Sequence, residues 1–363
     1  MTNFRHETNQ RGFFHYMSHL YPPMFLSLEY SVSFAKEYPV CIQKNIILPY
    51  PTIDPDLYNG KMKSKVMGKK GQDGSDGSPE KRDYLIYYAG GMHGECVEVR
   101  QAIKHILNNA TFLTNVTPPV VSSMGDREKG FMQARYCPIP VGDSPSSKRM
   151  YDVLHYGCVP VVLSDDLLWA FGPEMRGLQA TLLPSEFSIQ VPQSVVHFTA
   201  QRTLRLYGGT RRKEMGVLPS GTYLYDLLEQ SVKEGQDWER GGYVNPLVQI
   251  LRRVPVEDLL SLQTKGREAS TLYSFYEHDE KLVDLPLVTH RPPQGGTMRV
   301  LSQELEARVR SKMLDTIHEG CVRERAVVHK YIGRYPCDGQ DEVDSLLPPK
   351  PKRVPRGKGG KGK

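Results

Sequence analysis

The segment GDSPSSKRMYDVLHYGCVPVVLSDD, residues 142–166, contains the strongest fold signal in the chain. Ser144 before Pro145 is typical of a helix start, and Gly157 is typical of a helix end, so the pattern predicts a helix over 145–156. The apolar run 158–163 that follows has the length and continuous hydrophobicity of a strand buried on both faces. A helix joined directly to such a strand indicates a parallel α/β sheet.

The neighbouring segments repeat the alternation of strand and helix. Strands are predicted over 45–50 and 83–91, a helix over 94–109 and a second extended stretch over 131–142. Further along the chain, the patterns predict an edge strand over 181–196 and helices over 226–235, 244–254, 256–278 and 298–320. The fold class is therefore α/β, with helices on both faces of a mostly parallel sheet.

Charge argues against nucleic-acid binding, and hydrophobicity argues against a membrane-spanning helix. The net charge of +6 comes from the last fourteen residues, which hold seven Lys or Arg, while the other 349 residues carry 40 basic and 41 acidic groups. A neutral body argues against nucleic-acid binding. No run of about 18 apolar residues is present, so we expect no membrane-spanning helix, and the N-terminus lacks the apolar core of a signal peptide.

The six cysteines are widely spaced, with no Cys-Xaa-Xaa-Cys pair. Three disulfides are possible in an oxidising compartment. Cys158, however, begins the apolar strand of the opening segment, and we expect it to be a buried small hydrophobic residue rather than a disulfide partner.

The helix start in the opening segment is a candidate anion site. Its first turn combines unpaired backbone N–H groups, the positive end of the helix dipole, serine hydroxyls and the cations Lys148 and Arg149. Asp152 lies one turn further along the same helical face. It either pairs with these cations or accepts hydrogen bonds from ribose hydroxyls.

Asp165 and Asp166 follow the predicted buried strand. The carboxyl end of a parallel strand and the N-terminus of the helix before it lie on the same edge of the sheet, where open α/β folds bind ligands. One of these acids could serve as a base or orient a hydroxyl, or the pair could cap a following helix.

Residues 142–171 resemble the nucleotide-sugar-binding motif of the exostosin-like glycosyltransferases. The shared features are a serine-rich turn, a basic pair, an aromatic-acid pair, a Gly-Cys-Xaa-Pro strand and Ser-Asp-Asp, in this order. Outside this motif, the strand–glycine–helix unit from 83 to Arg100 is similar to the family pattern. The segments RGFFHYMSH, NIILPYPT and LLPSEFSIQVP extend the resemblance over roughly residues 10–280.

The resemblance implies a GT-B fold, with two Rossmann-like domains facing a cleft and the N-terminal one truncated. It implies transfer of a sugar from a UDP-sugar, with inversion and without a bound metal, to a hydroxyl of a glycan or glycoprotein in the Golgi lumen. The short N-terminal half also leaves open a catalytically impaired relative that serves as the partner subunit of a glycosyltransferase complex.

The resemblance also suggests domain bounds and site residues. The expected regions are an N-terminal acceptor-side remnant (1–59), a flexible linker (60–82), a nucleotide-sugar-binding domain (83–290), a helical extension (291–345) and a basic disordered tail (346–363). Asp165, Asp166 and His15 are candidates for the general base, with Phe14 standing where the family usually has an acid. The expected donor-binding residues are Ser144, Ser146, Ser147, Lys148, Arg149, Asp152, Gly90, Gly91 and Arg100.

Overall fold

The computed structural model describes the central part of the chain and several flanking segments. The described residues are 25–27, 40, 43, 45–51, 82–92, 97–113, 120–122, 127–142, 145–172, 183–234, 245–275, 296–310 and 319–320. Among the predicted features, His15, Phe14, Ser144, most of the linker and the basic tail lie outside these residues.

Two parallel sheets form the framework. The smaller one pairs β1 (Phe25–Ser27) with β2 (Asn45–Ile47). The larger one consists of β3 (Tyr84–Ala89), β4 (Val120–Ser122), β5 (Ala134–Pro140), β6 (Val159–Leu163) and β7 (Ile189–Gln190). Its strand order is β4-β3-β5-β6-β7, and all its pairs are parallel. The predicted α/β class is therefore confirmed.

Helices connect and cover the strands. The α-helices are α1 (Val97–Leu113), α2 (Arg127–Gln133), α3 (Lys148–His155), α4 (Pro184–Phe187), α5 (Ala200–Leu206), α6 (Leu224–Glu234), α7 (Pro246–Arg252), α8 (Val256–Leu272) and α9 (Gly296–Arg310). Two 3₁₀ helices span Gln193–His197 and Gly209–Met215.

The large sheet has a separate apolar core on each face. On β3, Ile86 and Tyr88 belong to the core shared with α1, whereas Tyr87 and Ala89 belong to the core shared with α3. All five residues of β6 are buried, as the continuous apolar run predicts. Successive residues of β3 thus point to opposite faces, which becomes important at its carboxyl end.

Helix α3 ends as predicted but begins three residues later than predicted. At its C-terminus, Gly157 adopts a φ of 67°. The N–H groups of Gly157 and Cys158 donate to the carbonyls of Leu154 and Val153, the bonding pattern of a Schellman motif. The N-cap is Ser147, and Pro145 lies outside the helix, where its carbonyl accepts a hydrogen bond from the Ser164 hydroxyl at 2.8 Å.

The predicted edge strand over 181–196 is largely wrong. Only the two residues of β7 pair with the sheet, between α4 and a 3₁₀ helix. Pro184 starts α4, and the Glu186 carboxylate accepts a hydrogen bond from the Leu183 N–H at 2.6 Å. These local signals favour a helical turn over an extended strand. Similarly, the extended stretch predicted from 131 begins at Ala134, because α2 continues to Gln133.

Cys158 forms a disulfide with Cys137, so the expectation of an unpaired residue is wrong. Both residues are almost fully buried. Cys137 lies opposite Pro160 in the register of β5 and β6, which brings it beside the residue that precedes β6. The disulfide therefore links the two neighbouring strands on which the site is built.

Helix α9 packs against the smaller sheet. Leu301 of α9 contacts Ile46 and Leu48 in a small apolar cluster. The Arg308 side chain, 1% exposed, is bonded to Glu304 at 2.5 Å and also donates to the Gln43 carbonyl. The predicted N-terminal remnant and the predicted helical extension thus share one core.

Arg82, the last residue of the predicted linker, is held by the folded domain. Its guanidinium donates to the carbonyls of Phe131, Ala134 and Tyr156 at 3.0, 2.7 and 3.1 Å. Burial, with a smaller contribution from Arg267, lowers the pKa of Arg82 to about 10. The side chain thus ties the ends of α2 and α3 to the start of the sheet.

Replacing both disulfide partners, as Cys137→Ala/Cys158→Ala, should lower the free energy of unfolding by about 3 kcal/mol, since a link across 21 residues restricts the unfolded chain. Urea unfolding of the oxidised proteins measures the difference. Mass spectrometry of the wild-type protein tests the bond itself, and a Cys137–Cys158 cross-link missing from its peptide map would contradict the structure.

Candidate functional site

Strand order locates a crevice at the carboxyl edge of the large sheet. The chain runs outward from β3 to β4 and then returns to the other side of β3 as β5. At such a switch point the connections leave in opposite directions, and a crevice opens beyond the carboxyl ends of the two strands. Gly90 and Gly91 follow β3 at this point, and Val141, Gly142 and the segment 145–147 follow β5.

A buried hydrogen bond joins the two ends of the opening segment. The Ser164 hydroxyl, 1% exposed, follows β6 and donates to the Pro145 carbonyl ahead of α3. The cations that begin α3 and the acids that follow β6 therefore lie on the same edge of the sheet, as the parallel arrangement predicts.

Arg149 extends across the edge of the sheet toward β3. Its guanidinium carbon lies over the Tyr88 ring, 4.8 Å from the ring centroid. Gly90 borders both side chains, because a Cβ at this residue would lie 2.4 Å from the Tyr88 hydroxyl and 2.5 Å from Arg149 Nη2. Arg149 is thus placed at the switch point, beside one of the two predicted glycines.

A second guanidinium contributes to the electrostatics. Arg100 is 5% exposed, which excludes a solvent-facing position on α1. Burial lowers the pKa of Arg149, Tyr88 opposes this change, and the positive charge of Arg100 adds to the lowering. The charge of Arg100 therefore opposes the charge of Arg149, and an anion bound beside Arg149 would offset this repulsion.

The start of α3 supplies polar groups to the same place. The Ser147 hydroxyl is buried, makes no cap hydrogen bond and has no hydrogen-bond partner among the residues that the structure describes. Ser146 is also buried. The first N–H groups of α3 have no partner within the helix, which makes this end suited to an anion.

Lys148 and Asp152 form an ion pair. Their Nζ and Oδ1 atoms are 2.5 Å apart, one helical turn from each other. Burial raises the pKa of Asp152, and the hydrogen bond from Lys148 opposes this shift. Of the two roles that the sequence left open for Asp152, pairing with a neighbouring cation is the one present in the structure.

Asp165 and Asp166 occupy a turn, not a helix start, so the capping alternative is wrong. Asp165 is exposed, and its Oδ1 accepts a hydrogen bond from the Gln193 N–H at 3.0 Å. Asp166 is half-buried. The Leu167 N–H closes the turn by donating to the Ser164 carbonyl.

The described ranges contain no group of three His, Cys, Asp or Glu side chains positioned to hold a metal ion. None of their helices combines the length and hydrophobicity needed to cross a bilayer.

Tyr88 is the residue of this crevice that the sequence prediction missed. It is fully buried and lies two residues before Gly90 on a strand. The alternation along β3 could have assigned it to the core face of α1. The contact with Arg149, however, depends on how α3, which is distant in sequence, packs against the sheet.

The fold and crevice define a Rossmann-like α/β protein with ionisable groups gathered at its switch point. The Exostosin GT47 domain model matches residues 1–200, more than half of the chain. The chain therefore belongs to the exostosin GT47 family, a family of glycosyltransferases whose members are generally Golgi-associated. The resemblance inferred from residues 142–171 is confirmed.

Removing the hydroxyl that joins the two ends of the site, as Ser164→Ala, should lower the free energy of unfolding by about 1 kcal/mol, because the buried Pro145 carbonyl loses its donor. Ser270→Ala is the matched control. The Ser270 hydroxyl also donates to a carbonyl at 2.8 Å, but that carbonyl lies within a helix. Equal urea midpoints for the two variants would contradict a specific contribution of Ser164.

Proposed function

We propose that this protein transfers a sugar, a hexose or pentose, from a UDP-sugar to a glycan hydroxyl with inversion of configuration. The observation that carries the proposal is the position of the Arg149 guanidinium beside Tyr88 and Gly90, at the switch point of a family member's parallel sheet. The donor diphosphate is an anion that a guanidinium can bind through two parallel hydrogen bonds, and Gly90 leaves the space that the Arg149 side chain occupies.

The chemistry follows from this charge distribution. As the glycosidic bond breaks, negative charge accumulates on the leaving UDP. Arg149, Arg100 and the N-terminus of α3, with Ser144, Ser146 and Ser147, would stabilise this charge more strongly in the transition state than in the bound donor. The proposal assigns neutralisation to these groups rather than to a metal ion, so transfer should persist in EDTA.

Lys148 and Asp152 are assigned to the nucleoside part of the donor. Since Lys148 is paired with Asp152, its charge is partly offset before any ligand binds. We assign Asp152 to the ribose, whose hydroxyls can donate to a carboxylate that Lys148 holds in place. The pair thereby positions the nucleoside while Arg149 contacts the diphosphate.

Asp165 is the general base that we favour among Asp165, Asp166 and His15. A base must reach the acceptor hydroxyl, and Asp165 is exposed whereas Asp166 is half-buried. The backbone N–H of Gln193 fixes one carboxylate oxygen of Asp165. Such a fixed carboxylate could deprotonate the acceptor hydroxyl opposite the departing UDP, as inversion requires.

The remaining architecture is consistent with a GT-B enzyme of the secretory pathway. The parallel pair of β1 and β2, covered by α9, would belong to the acceptor-side domain. The Cys137–Cys158 disulfide supports maturation in an oxidising compartment, as expected for the Golgi lumen. The acceptor would be a glycan or glycoprotein.

Binding of UDP tests the donor site directly. At about 100 times its Kd, UDP should raise the melting temperature of the wild-type chain by roughly 5 °C. Arg149→Ala should abolish this shift, and Arg205→Ala, which removes an exposed arginine from α5, should retain it. A wild-type protein that UDP does not stabilise would rule out the proposed donor.

The transfer step needs its own measurement. Asp165→Asn should lower kcat at least about 100-fold with little change in UDP affinity, because a base acts after the donor is bound. Asp166→Asn serves as the comparison. If Asp165→Asn keeps full activity, the assignment of the base is wrong. If the wild-type protein binds the UDP-sugar but transfers to no acceptor, a role as partner subunit replaces that of a catalyst.

A further inference from the structure

We propose that Tyr88 is a positioning residue that holds the Arg149 guanidinium at the carboxyl end of β3, oriented to receive the donor diphosphate. The inference rests on the proposed donor site and adds a residue to it. Tyr88 acts through Arg149 and keeps this cation in place before the ligand arrives.

The Arg149 side chain passes from one face of the sheet to the other. Arg149 belongs to α3, whose buried residues Met150, Val153 and Leu154 pack on one face of the sheet. Tyr88 belongs to the core of the opposite face. A guanidinium 4.8 Å from the Tyr88 ring centroid has therefore crossed the carboxyl edge of the sheet.

Arg149 passes through a notch at Gly90. Gly90 borders this path, and a Cβ there would collide with the ends of both the Tyr88 and Arg149 side chains. Tyr88 is fully buried in a close-packed core and cannot move aside. The notch at Gly90 and the ring of Tyr88 thus together define where the guanidinium lies.

Electrostatics also favour this position of Arg149. Burial lowers the pKa of Arg149, while the Tyr88 hydroxyl and, more weakly, Asp152 raise it. Asp152 is already bonded to Lys148. The electron-rich ring offers Arg149 a favourable contact that does not neutralise its charge. The cation is therefore retained at the crevice, and less conformational entropy is lost when a diphosphate binds.

Two substitutions at Tyr88 distinguish the contribution of the aromatic ring to UDP binding from that of the hydroxyl. Tyr88→Leu removes the aromatic face and should weaken UDP binding about tenfold. Tyr88→Phe retains the face and should keep affinity within about threefold of wild type. Uridine lacks phosphates, so its affinity should be the same for all three proteins. Calorimetry measures UDP binding, and ligand-observed NMR measures uridine binding.

Two controls distinguish positioning from general damage. Tyr87→Leu makes the same change on the opposite face of β3 and should leave the ratio of UDP to uridine affinity unchanged. Gly90→Ala fills the notch and should lower this ratio as Tyr88→Leu does. It provides the test if Tyr88→Leu does not fold.

The outcomes separate this inference from the function on which it rests. If the wild-type protein binds UDP, but neither Tyr88→Leu nor Gly90→Ala lowers the affinity ratio, the role of Tyr88 is wrong and the donor site stands. An equal fall in the ratio of UDP to uridine affinity in Tyr87→Leu would also contradict the role of Tyr88. If the wild-type protein binds neither UDP nor inorganic pyrophosphate, the donor site and the inference fail together.

Discussion

The parallel ladder between β5 and β6 is the constraint on which the rest of the structure depends. Its register runs from Tyr136 opposite Val159 to Pro140 opposite Leu163. Because the strands are parallel, α3 must return the chain from the carboxyl end of β5 to the amino end of β6. The first turn of α3 is therefore held near the carboxyl edge, and the hydrogen bond from Ser164 fixes the approach to it.

The same edge is where the two faces of the sheet meet. Side chains from opposite faces are normally separated by the sheet backbone, since neighbouring residues alternate in direction. Beyond the end of β3 the backbone no longer separates them, and Gly90 carries no side chain that would do so. Arg149 from one face can thus approach Tyr88 on the other. A single glycine therefore permits a contact across the edge of the sheet.

Some features of this region can be predicted from the sequence and others cannot, for physical reasons. The end of α3 at Gly157 and the cations at its start are encoded locally, in turn chemistry and charge. The late start of α3 depends on the Pro145 carbonyl and a serine 19 residues away. The partner of Cys158 depends on which strands are neighbours, and the contact of Tyr88 depends on how α3 packs on the opposite face of the sheet. Such features follow from tertiary packing, which local patterns do not contain.

The distribution of charge along the edge gives the proposed site a direction. The cations lie beyond β3 and β5, and the exposed carboxylate of Asp165 lies beyond β6, on the side toward β7. A bound diphosphate would be repelled by a carboxylate and attracted by the guanidinium of Arg149. In the proposed complex, the diphosphate therefore lies toward β3 and the sugar toward β6. This orientation separates the group that stabilises the leaving UDP from the base that activates the acceptor, so each can act without neutralising the other.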